Sequence, residues 1–265
     1  MKNITYVYIL CILFTQLALC RPNDSYVGNF GNNTVSVVDM VTDTVTGIVN
    51  DPGSTFNVIY YITVTPDGRK AYVANQGNNT VSVINTLTNT VMGIVADPGS
   101  TFNTTYSLTP SLDGRFVYAI NQGSNTISII NVATDTVVGV VNDLSSTFND
   151  IYFMTISPDG RKAYVANYIG LTVSVIDTLT NSVTGLVTDV GDTFDDPFPI
   201  AFSPNGLRAY VGNYNSNTIS IIDTVSNTVI GTISDPSFNQ ITYIVITPDG
   251  KTAYVANFAF TVSTV

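Results

Sequence analysis

Several residue types that enzymes commonly use are missing from this 265-residue sequence. It contains no histidine, no glutamate and no tryptophan, and its two cysteines, Cys11 and Cys20, both lie within the first 20 residues. Histidine and glutamate are frequent general acids and bases, and a cysteine thiolate is a frequent nucleophile. Beyond residue 20 the sequence therefore lacks the usual general bases and the residues that usually activate a nucleophile, and it lacks the cysteines that a disulfide framework needs.

Positive charge is also scarce. Nine lysine and arginine residues oppose 19 acidic residues, all of them aspartate, and the net charge is -10. This surplus of negative charge repels the phosphates of nucleic acids and the headgroups of anionic membranes. Hydrophobic residues make up 45% of the chain, which is enough to bury a large core. The composition predicts a folded, acidic protein that does not bind nucleic acid.

Residues 1–20, MKNITYVYILCILFTQLALC, resemble a secretory signal peptide. A basic residue, Lys2, precedes an apolar stretch that is too short to span a bilayer comfortably. We therefore expect residues 21–265 to be exported, without a transmembrane helix, to the periplasm, the cell surface or the medium. Alternatively, LALC resembles a bacterial lipobox in which Cys20 is kept and lipidated, although Leu19 stands where a small residue is expected.

A repeat with a period of 46 residues runs through the exported part. Five tyrosines and five glycines recur at this step, and Tyr254 follows the last of the tyrosines after 44 residues. A constant period of this size is typical of a repeat architecture. The two series are Tyr26, Tyr72, Tyr118, Tyr164 and Tyr210, and Gly47, Gly93, Gly139, Gly185 and Gly231.

Each period contains four apolar, β-branched runs of strand length. In the second period they are YYITVTP, KAYVAN, TVSVIN and NTVMGIVA, and turn residues separate them. The PDG between the first two runs predicts a tight hairpin, because proline presets φ and glycine accepts a positive φ. One period is thus a four-stranded antiparallel meander that must stack on its neighbours. Radial stacking of such sheets makes a β-propeller, and we predict this all-β fold for residues 21–265.

The segment PDGRKAYVANQGNNTVSVINTLTNTVMGIV resembles the YVTN β-propeller repeat of surface-layer and other exported proteins from archaea and bacteria. The resemblance covers essentially everything after residue 25 and implies a scaffold or a binding module. Some similar periplasmic propellers are thought to bind DNA, so the resemblance also implies that weaker alternative. The net charge of -10 argues against it.

The repeats are not a whole number. With the strands of one unit named a to d from inner to outer, the exported chain begins at strand b and ends after strand c. We predict five to six sheets, of which the first lacks its inner strand and the last its outer strand. Six sheets could close non-covalently, form an open arc, or belong to a longer ring. Bare sheet edges would let an open arc self-associate.

In such a blade the b–c turns and the d–a loops share one side, which we call the loop face. The d–a loops contain nine aspartates and no lysine or arginine, and three of the inner strands begin with a tyrosine that should lie near the central channel. We expect a protein or glycan ligand to bind there. The predicted binding residues are Asp51, Asp97, Asp143, Asp189 and Asp235, with Tyr60, Tyr106 and Tyr152.

The fourth d–a loop, TDVGDTFDDPF, is the candidate metal site. Its aspartates are Asp189, Asp192, Asp195 and Asp196. If they converge to roughly 5 Å, each pair repels by about 3 kcal/mol at an effective dielectric constant of 20. A hard cation such as Ca²⁺ would relieve that repulsion. Aspartate is also a common turn former, so a solvated loop is the alternative, and the sequence predicts no other cofactor.

The sequence allows three hypotheses for the function. The first is a non-enzymatic surface or envelope module that binds its ligand through the acidic, aromatic loop face. The second is a metal-dependent enzyme of the lactonase-like or quinoprotein-like kind, which would depend on the fourth loop because the chain has neither histidine nor glutamate. The third is the DNA-binding propeller.

Overall fold

The computed structural model describes residues 24–258 and 261–264. The predicted signal peptide, and with it Cys11 and Cys20, lies outside these residues. Regular structure in the described part is β-strand throughout, apart from a 3₁₀ turn at Gln122–Ser124. None of it forms a helix with the length and apolarity needed to cross a membrane. The chain divides into two compact units, the first ending at Val140 and the second beginning at Val141.

The first unit contains three antiparallel sheets, numbered 1 to 3. Within each sheet the strands follow one another in chain order. The strands are β1 (Asp24–Asn29), β2 (Thr34–Asp39) and β3 (Thr44–Ile48) in sheet 1; β4 (Ile59–Val64), β5 (Lys70–Asn75), β6 (Thr80–Asn85) and β7 (Thr90–Ile94) in sheet 2; and β8 (Thr105–Pro110), β9 (Phe116–Asn121), β10 (Thr126–Asn131) and β11 (Thr136–Val140) in sheet 3.

The second unit contains sheets 4 to 6, which follow the same plan. The strands are β12 (Ile151–Ile156), β13 (Lys162–Asn167), β14 (Thr172–Asp177) and β15 (Ser182–Leu186) in sheet 4; β16 (Pro197–Phe202), β17 (Arg208–Asn213), β18 (Thr218–Asp223) and β19 (Thr228–Ser234) in sheet 5; and β20 (Ile241–Ile246), β21 (Ala253–Asn257) and β22 (Val262–Thr264) in sheet 6.

The strand pattern predicted from the repeat is confirmed. Sheets 2 to 5 have strands a to d, sheet 1 has only b to d, and the described part of sheet 6 has only a to c. The a–b hairpin also forms as predicted: the Gly68 amide donates to the Thr65 carbonyl at 2.7 Å, and Gly68 has a φ of 69°. The side chain of Asp67 accepts from the Arg69 amide at 3.1 Å, which closes the turn.

The hydrophobic core lies between successive sheets of a unit. In the first unit Tyr72 and Val81 of sheet 2 pack with Leu108 and Val117 of sheet 3. In the second, Tyr164 of sheet 4 belongs to one buried cluster with residues of sheet 5. The repeated tyrosine is fully buried in sheets 2, 3 and 4, so the 46-residue series marks the sheet-to-sheet contact. A blade therefore becomes stable only when its neighbour covers it.

The closeness of this packing yields a prediction at Gly212 in β17. A Cβ atom there would lie 2.7 Å from Cγ2 of buried Ile241 and 2.7 Å from Cγ of Pro199, which is too close for either to accommodate. We expect Gly212→Ala to lower the free energy of unfolding by about 1–3 kcal/mol, the usual cost of overpacking a core. Urea denaturation of the purified protein measures this loss.

The matched control is Gly231→Ala in β19. No atom lies within 4 Å of a Cβ built at Gly231, so this substitution should change stability by less than about 1 kcal/mol. Equal losses in the two variants would contradict the prediction, because the effect would then not come from the packing of sheet 5 against sheet 6.

Candidate functional site

Hydrogen bonds in both units place the b–c turns beside the d–a loops. In the second unit the amide of Tyr168 donates to the Asp150 carbonyl at 3.1 Å, and that of Tyr214 donates to the Asp196 carbonyl at 3.0 Å. The basic a–b hairpins lie with the c–d turns instead, since Nζ of Lys162 donates to the Thr224 carbonyl at 2.8 Å. The loop face therefore forms within each unit as the sequence predicts.

The loop aspartates predicted to bind a ligand also hold their own loops in shape. The Oδ2 atom of Asp51, Asp97, Asp143 and Asp189 accepts the amide of the phenylalanine five residues later, at 2.9–3.0 Å. Each of these phenylalanines is buried. Asp235 differs, because it is exposed and accepts from the amide and hydroxyl of Ser237, at 2.8 and 2.6 Å.

The second carboxylate oxygen separates these aspartates into two pairs. Oδ1 of Asp97 and of Asp143 accepts a threonine hydroxyl at 3.1 and 3.2 Å, respectively. Oδ1 of Asp51 and of Asp189 is buried and has no hydrogen-bond partner. Each of these two aspartates lines a surface cleft, of about 370 Å³ at Asp51 and about 640 Å³ at Asp189.

The four aspartates of the proposed calcium site have different partners. Both carboxylate oxygens of Asp195 accept a hydrogen bond from Nδ2 of Asn215, at 3.2 Å each. The carboxylate of Asp196 accepts a hydrogen bond from the hydroxyl of Tyr168. Asp189, Asp192 and Asp195 line the larger cleft. Among residues 24–258 and 261–264, no three histidine, cysteine or acidic side chains are grouped in a way that could hold a metal ion. The calcium site remains a prediction, and this geometry does not support it.

The three predicted tyrosines fall into two groups. In the first unit, Tyr60 and Tyr106 come together, with ring centroids 4.3 Å apart and the Tyr60 hydroxyl donating to the Tyr106 hydroxyl at 3.0 Å. In the second unit, Tyr152 packs edge-on against Tyr168 at 5.4 Å and lies 5.5 Å from the Phe198 ring. Tyr152 thus belongs to a larger aromatic cluster that the sequence reasoning missed.

That cluster continues through the residues that directly follow strand b. The ring of Tyr168 lies 6.2 Å from that of Tyr214, which lies 6.3 Å from that of Phe258. We call Tyr152, Tyr168, Tyr214 and Phe258 the aromatic row. The signal was present in the sequence: the last three are separated by 46 and 44 residues, which are the steps of the repeat.

The aromatic row carries hydrogen-bonding groups but no positive charge. The pKa of Tyr168 is raised to about 12 by burial, by its hydrogen bond to Asp196 and by the charge of that carboxylate. Its phenol therefore stays protonated at neutral pH and acts as a donor. The lysines and arginines described in the second unit lie on the side opposite the loop face. Each follows the serine or threonine that starts an a–b hairpin. The loop face of this unit is consequently negative.

The larger cleft and the aromatic row are neighbours. Asp195 lines the cleft, whereas the next residue, Asp196, binds the Tyr168 hydroxyl and the Tyr214 amide. Hydroxyl side chains of Thr172, Thr193 and Ser216 also line the cleft. A volume of about 640 Å³ is within the range of small-ligand sites, which are mostly apolar; most residues that line this cleft are polar, and the adjoining aromatic row supplies apolar surface.

Comparison of the repeats separates scaffold from surface. The asparagine that ends strand b is identical in all six sheets, and from sheet 2 to sheet 5 it is fully buried and donates to a serine of strand c at 2.8–2.9 Å. The residue after this asparagine is glutamine in sheets 2 and 3, tyrosine in sheets 4 and 5, and phenylalanine in sheet 6. Its amide donates to the carbonyl of a d–a loop residue, which also changes between the units. From sheet 2 to sheet 6 these two series are Gln76, Gln122, Tyr168, Tyr214 and Phe258, and Val58, Thr104, Asp150, Asp196 and Gln240.

No family model matches the sequence, and no curated protein matches it. Among solved structures, the chain is similar to hydrazine synthase from Kuenenia stuttgartiensis, with 17% sequence identity, a TM-score of 0.55, and 92% of each chain covered. A likeness at this identity concerns the fold alone. It shows that this chain is a β-propeller whose six small antiparallel sheets are the blades. The resemblance to the YVTN repeat remains a hypothesis drawn from the sequence.

Proposed function

We propose that the protein is a non-enzymatic binding module, exported to the cell surface or envelope, that recognises its ligand with the loop face of its second unit. One observation carries the proposal. Residues that hold the repeat together are the same from sheet to sheet, whereas those at the start of the b–c turn and the end of the d–a loop differ between the sheets of the first unit and those of the second. Side chains that vary on a constant, rigid scaffold are typical of a recognition surface.

The chemistry of the loop face supports binding in preference to catalysis. The chain has no histidine or glutamate to move protons near neutral pH. The carboxylates of Asp143 and Asp189 accept backbone amides within their loops, and the phenol of Tyr168 is held in its protonated form. These groups can accept or donate hydrogen bonds to a ligand, but none is arranged as a nucleophile beside a base.

Charge supports a ligand other than nucleic acid. The net charge of -10 and the carboxylates of Asp195 and Asp196 on this face would repel phosphates. Export is supported by residues 1–20, which have the basic start and short apolar stretch of a signal peptide.

The test replaces the variable residues of sheets 4 and 5 with residues from other sheets. The variant combines Tyr168→Gln and Tyr214→Gln, which copy Gln122 of sheet 3, with Asp150→Gln and Asp196→Gln, which copy Gln240 of sheet 6, where φ is also positive. Because the chain already folds with those residues at these positions, the variant should keep its melting temperature within a few degrees. We expect the labelled wild-type protein to sediment with the envelope fraction of the organism that encodes it, and the variant to lose at least nine-tenths of this binding.

The control carries changes on the opposite side of the same sheet, Asp159→Asn and Arg161→Leu, which copy Asn205 and Leu207 of sheet 5. It should sediment like the wild type. Failure of the wild-type protein to bind the envelope, or equal binding by the four-residue variant, would refute the proposed function.

A further inference from the structure

We propose that the aromatic row binds a neutral, extended glycan, with sugar rings against its aromatic side chains and sugar hydroxyls donating to the neighbouring carboxylates. This inference rests on the proposed function, because it names the ligand class of the same face. It goes beyond that function by assigning the contacts to three successive blades, which contribute Tyr168, Tyr214 and Phe258.

The rings form a continuous aromatic surface across three blades. Successive centroids are 6.2 and 6.3 Å apart, the distance at which aromatic rings contact one another. Neighbouring rings are inclined by 60° and 75°, so they line a curved path instead of a flat plate. Phe258 is 47% exposed, and Tyr168 and Tyr214 are partly exposed, so aromatic surface is available to a ligand. Aromatic rings provide rigid contact area for the apolar faces of sugars at little entropic cost.

The polar groups beside the rings are mainly acceptors. Asp195 and Asp196 flank the row. A carboxylate only accepts hydrogen bonds, so its best ligand is rich in hydroxyl or amide donors. Sugars offer hydroxyl donors around the edge of each ring and apolar C–H groups on its faces.

The charge of the face selects neutral glycans over acidic ones. Three carboxylates, those of Asp189, Asp192 and Asp195, line the cleft that adjoins the row, and its described lining includes no lysine or arginine. A uronic acid or a sulfated sugar would bring another negative charge against them without a compensating cation. The ligand class is therefore a neutral polysaccharide, with hydroxyl or acetamido substituents.

Saturation-transfer NMR with purified full-length protein tests the inference. The probes are the neutral oligosaccharides cellohexaose, mannohexaose and chitohexaose, and the acidic polymer polygalacturonate. We expect saturation of the aromatic protons to transfer to the ring protons of at least one neutral probe and not to polygalacturonate. The double substitution Tyr168→Gln and Tyr214→Gln should weaken that binding at least tenfold, whereas Tyr214→Phe, which keeps the ring, should stay within threefold of the wild type.

The envelope assay separates the two proposals. Binding should be lost from an envelope treated with periodate, which cleaves vicinal diols, or with chitinase, which degrades the acetamido polymer that lacks such diols, and after protease treatment it should persist. Binding that resists periodate and chitinase but is destroyed by protease, and that still needs the loop face, would overturn the glycan inference and leave the proposed function standing. Absence of binding to every neutral probe, or binding that the Tyr168→Gln and Tyr214→Gln variant retains, would likewise overturn it.

Discussion

Replacing Asp135 with alanine will lower the free energy of unfolding by about 3–5 kcal/mol, because a buried tyrosine hydroxyl and a largely buried lysine lose their acceptor and the backbone is strained. Asp135 lies in the c–d turn of sheet 3 and fixes that turn to sheet 2. Its Oδ1 atom accepts the hydroxyl of the fully buried Tyr72 at 2.6 Å, and its Oδ2 atom accepts Nζ of Lys70 at 2.7 Å. Alanine would leave the Tyr72 hydroxyl without this acceptor. It would also have to adopt the φ of 52° that Asp135 has, a strained conformation for alanine.

A natural control for this substitution exists within the chain. The corresponding residue of sheet 5 is Asn227, whose Oδ1 atom accepts the hydroxyl of Tyr164 at 2.7 Å. Asp135→Asn should therefore keep the tyrosine hydrogen bond and tolerate the positive φ, and it should cost less than about 1.5 kcal/mol. Urea unfolding curves measure both variants. Similar losses for alanine and asparagine would show that the hydrogen bond to the buried tyrosine does not hold the blades together.

Raising the pH above 10 will unfold the protein through its buried tyrosines. Burial raises the pKa of Tyr118 from 10.0 to about 12, and burial is also the main cause of the still higher pKa values of Tyr72 and Tyr164. A raised pKa means that the folded state keeps a proton that the unfolded state releases. The stabilisation is therefore complete below pH 10 and is lost as the pH rises through the folded-state pKa. For Tyr118 the shift corresponds to a loss of about 2 kcal/mol by pH 12.

The measurement is an alkaline titration followed by tyrosinate absorbance and by circular dichroism. The buried tyrosines should ionise only as the sheets melt, so the two signals should change together between pH 10 and 12. Tyr118→Phe removes one of these groups, and the variant's loss of stability over this range should be about 2 kcal/mol smaller than that of the wild type. Complete ionisation near pH 10 with the sheets still intact would contradict the prediction.

The acidic side of the pH range should matter less for the fold. Backbone amides that donate to the exposed carboxylates of Asp39, Asp177 and Asp223 are the main cause of their lowered pKa values. The stabilisation from these turns is present above the ordinary aspartate pKa and is lost as the pH falls through the lowered values. Because these groups are at the surface, solvent screens their effect, and each turn contributes little.

Much of the fold could be derived from local patterns in the sequence. Alternation of β-branched residues identified the strands, the PDG turns identified the hairpins, and the 46-residue step identified the blades. These features depend on neighbouring residues in the chain, as in the turn at Gly68, so they are visible without a structure. The division of the loops into two faces followed from the meander itself, and the hydrogen bonds from Tyr168 and Lys162 agree with it.

The candidate site depended on tertiary structure, for two physical reasons. The partner of a carboxylate is decided by the path of its loop: Asp189 turns back to the amide of Phe194, and Asp196 reaches the hydroxyl of Tyr168, so closeness along the chain does not by itself give carboxylates a common partner. The aromatic row joins residues about 46 positions apart, which meet only when blades stack. The sequence by itself determined the blade and its period, whereas packing between blades decided which side chains face one another and which remain available to a ligand.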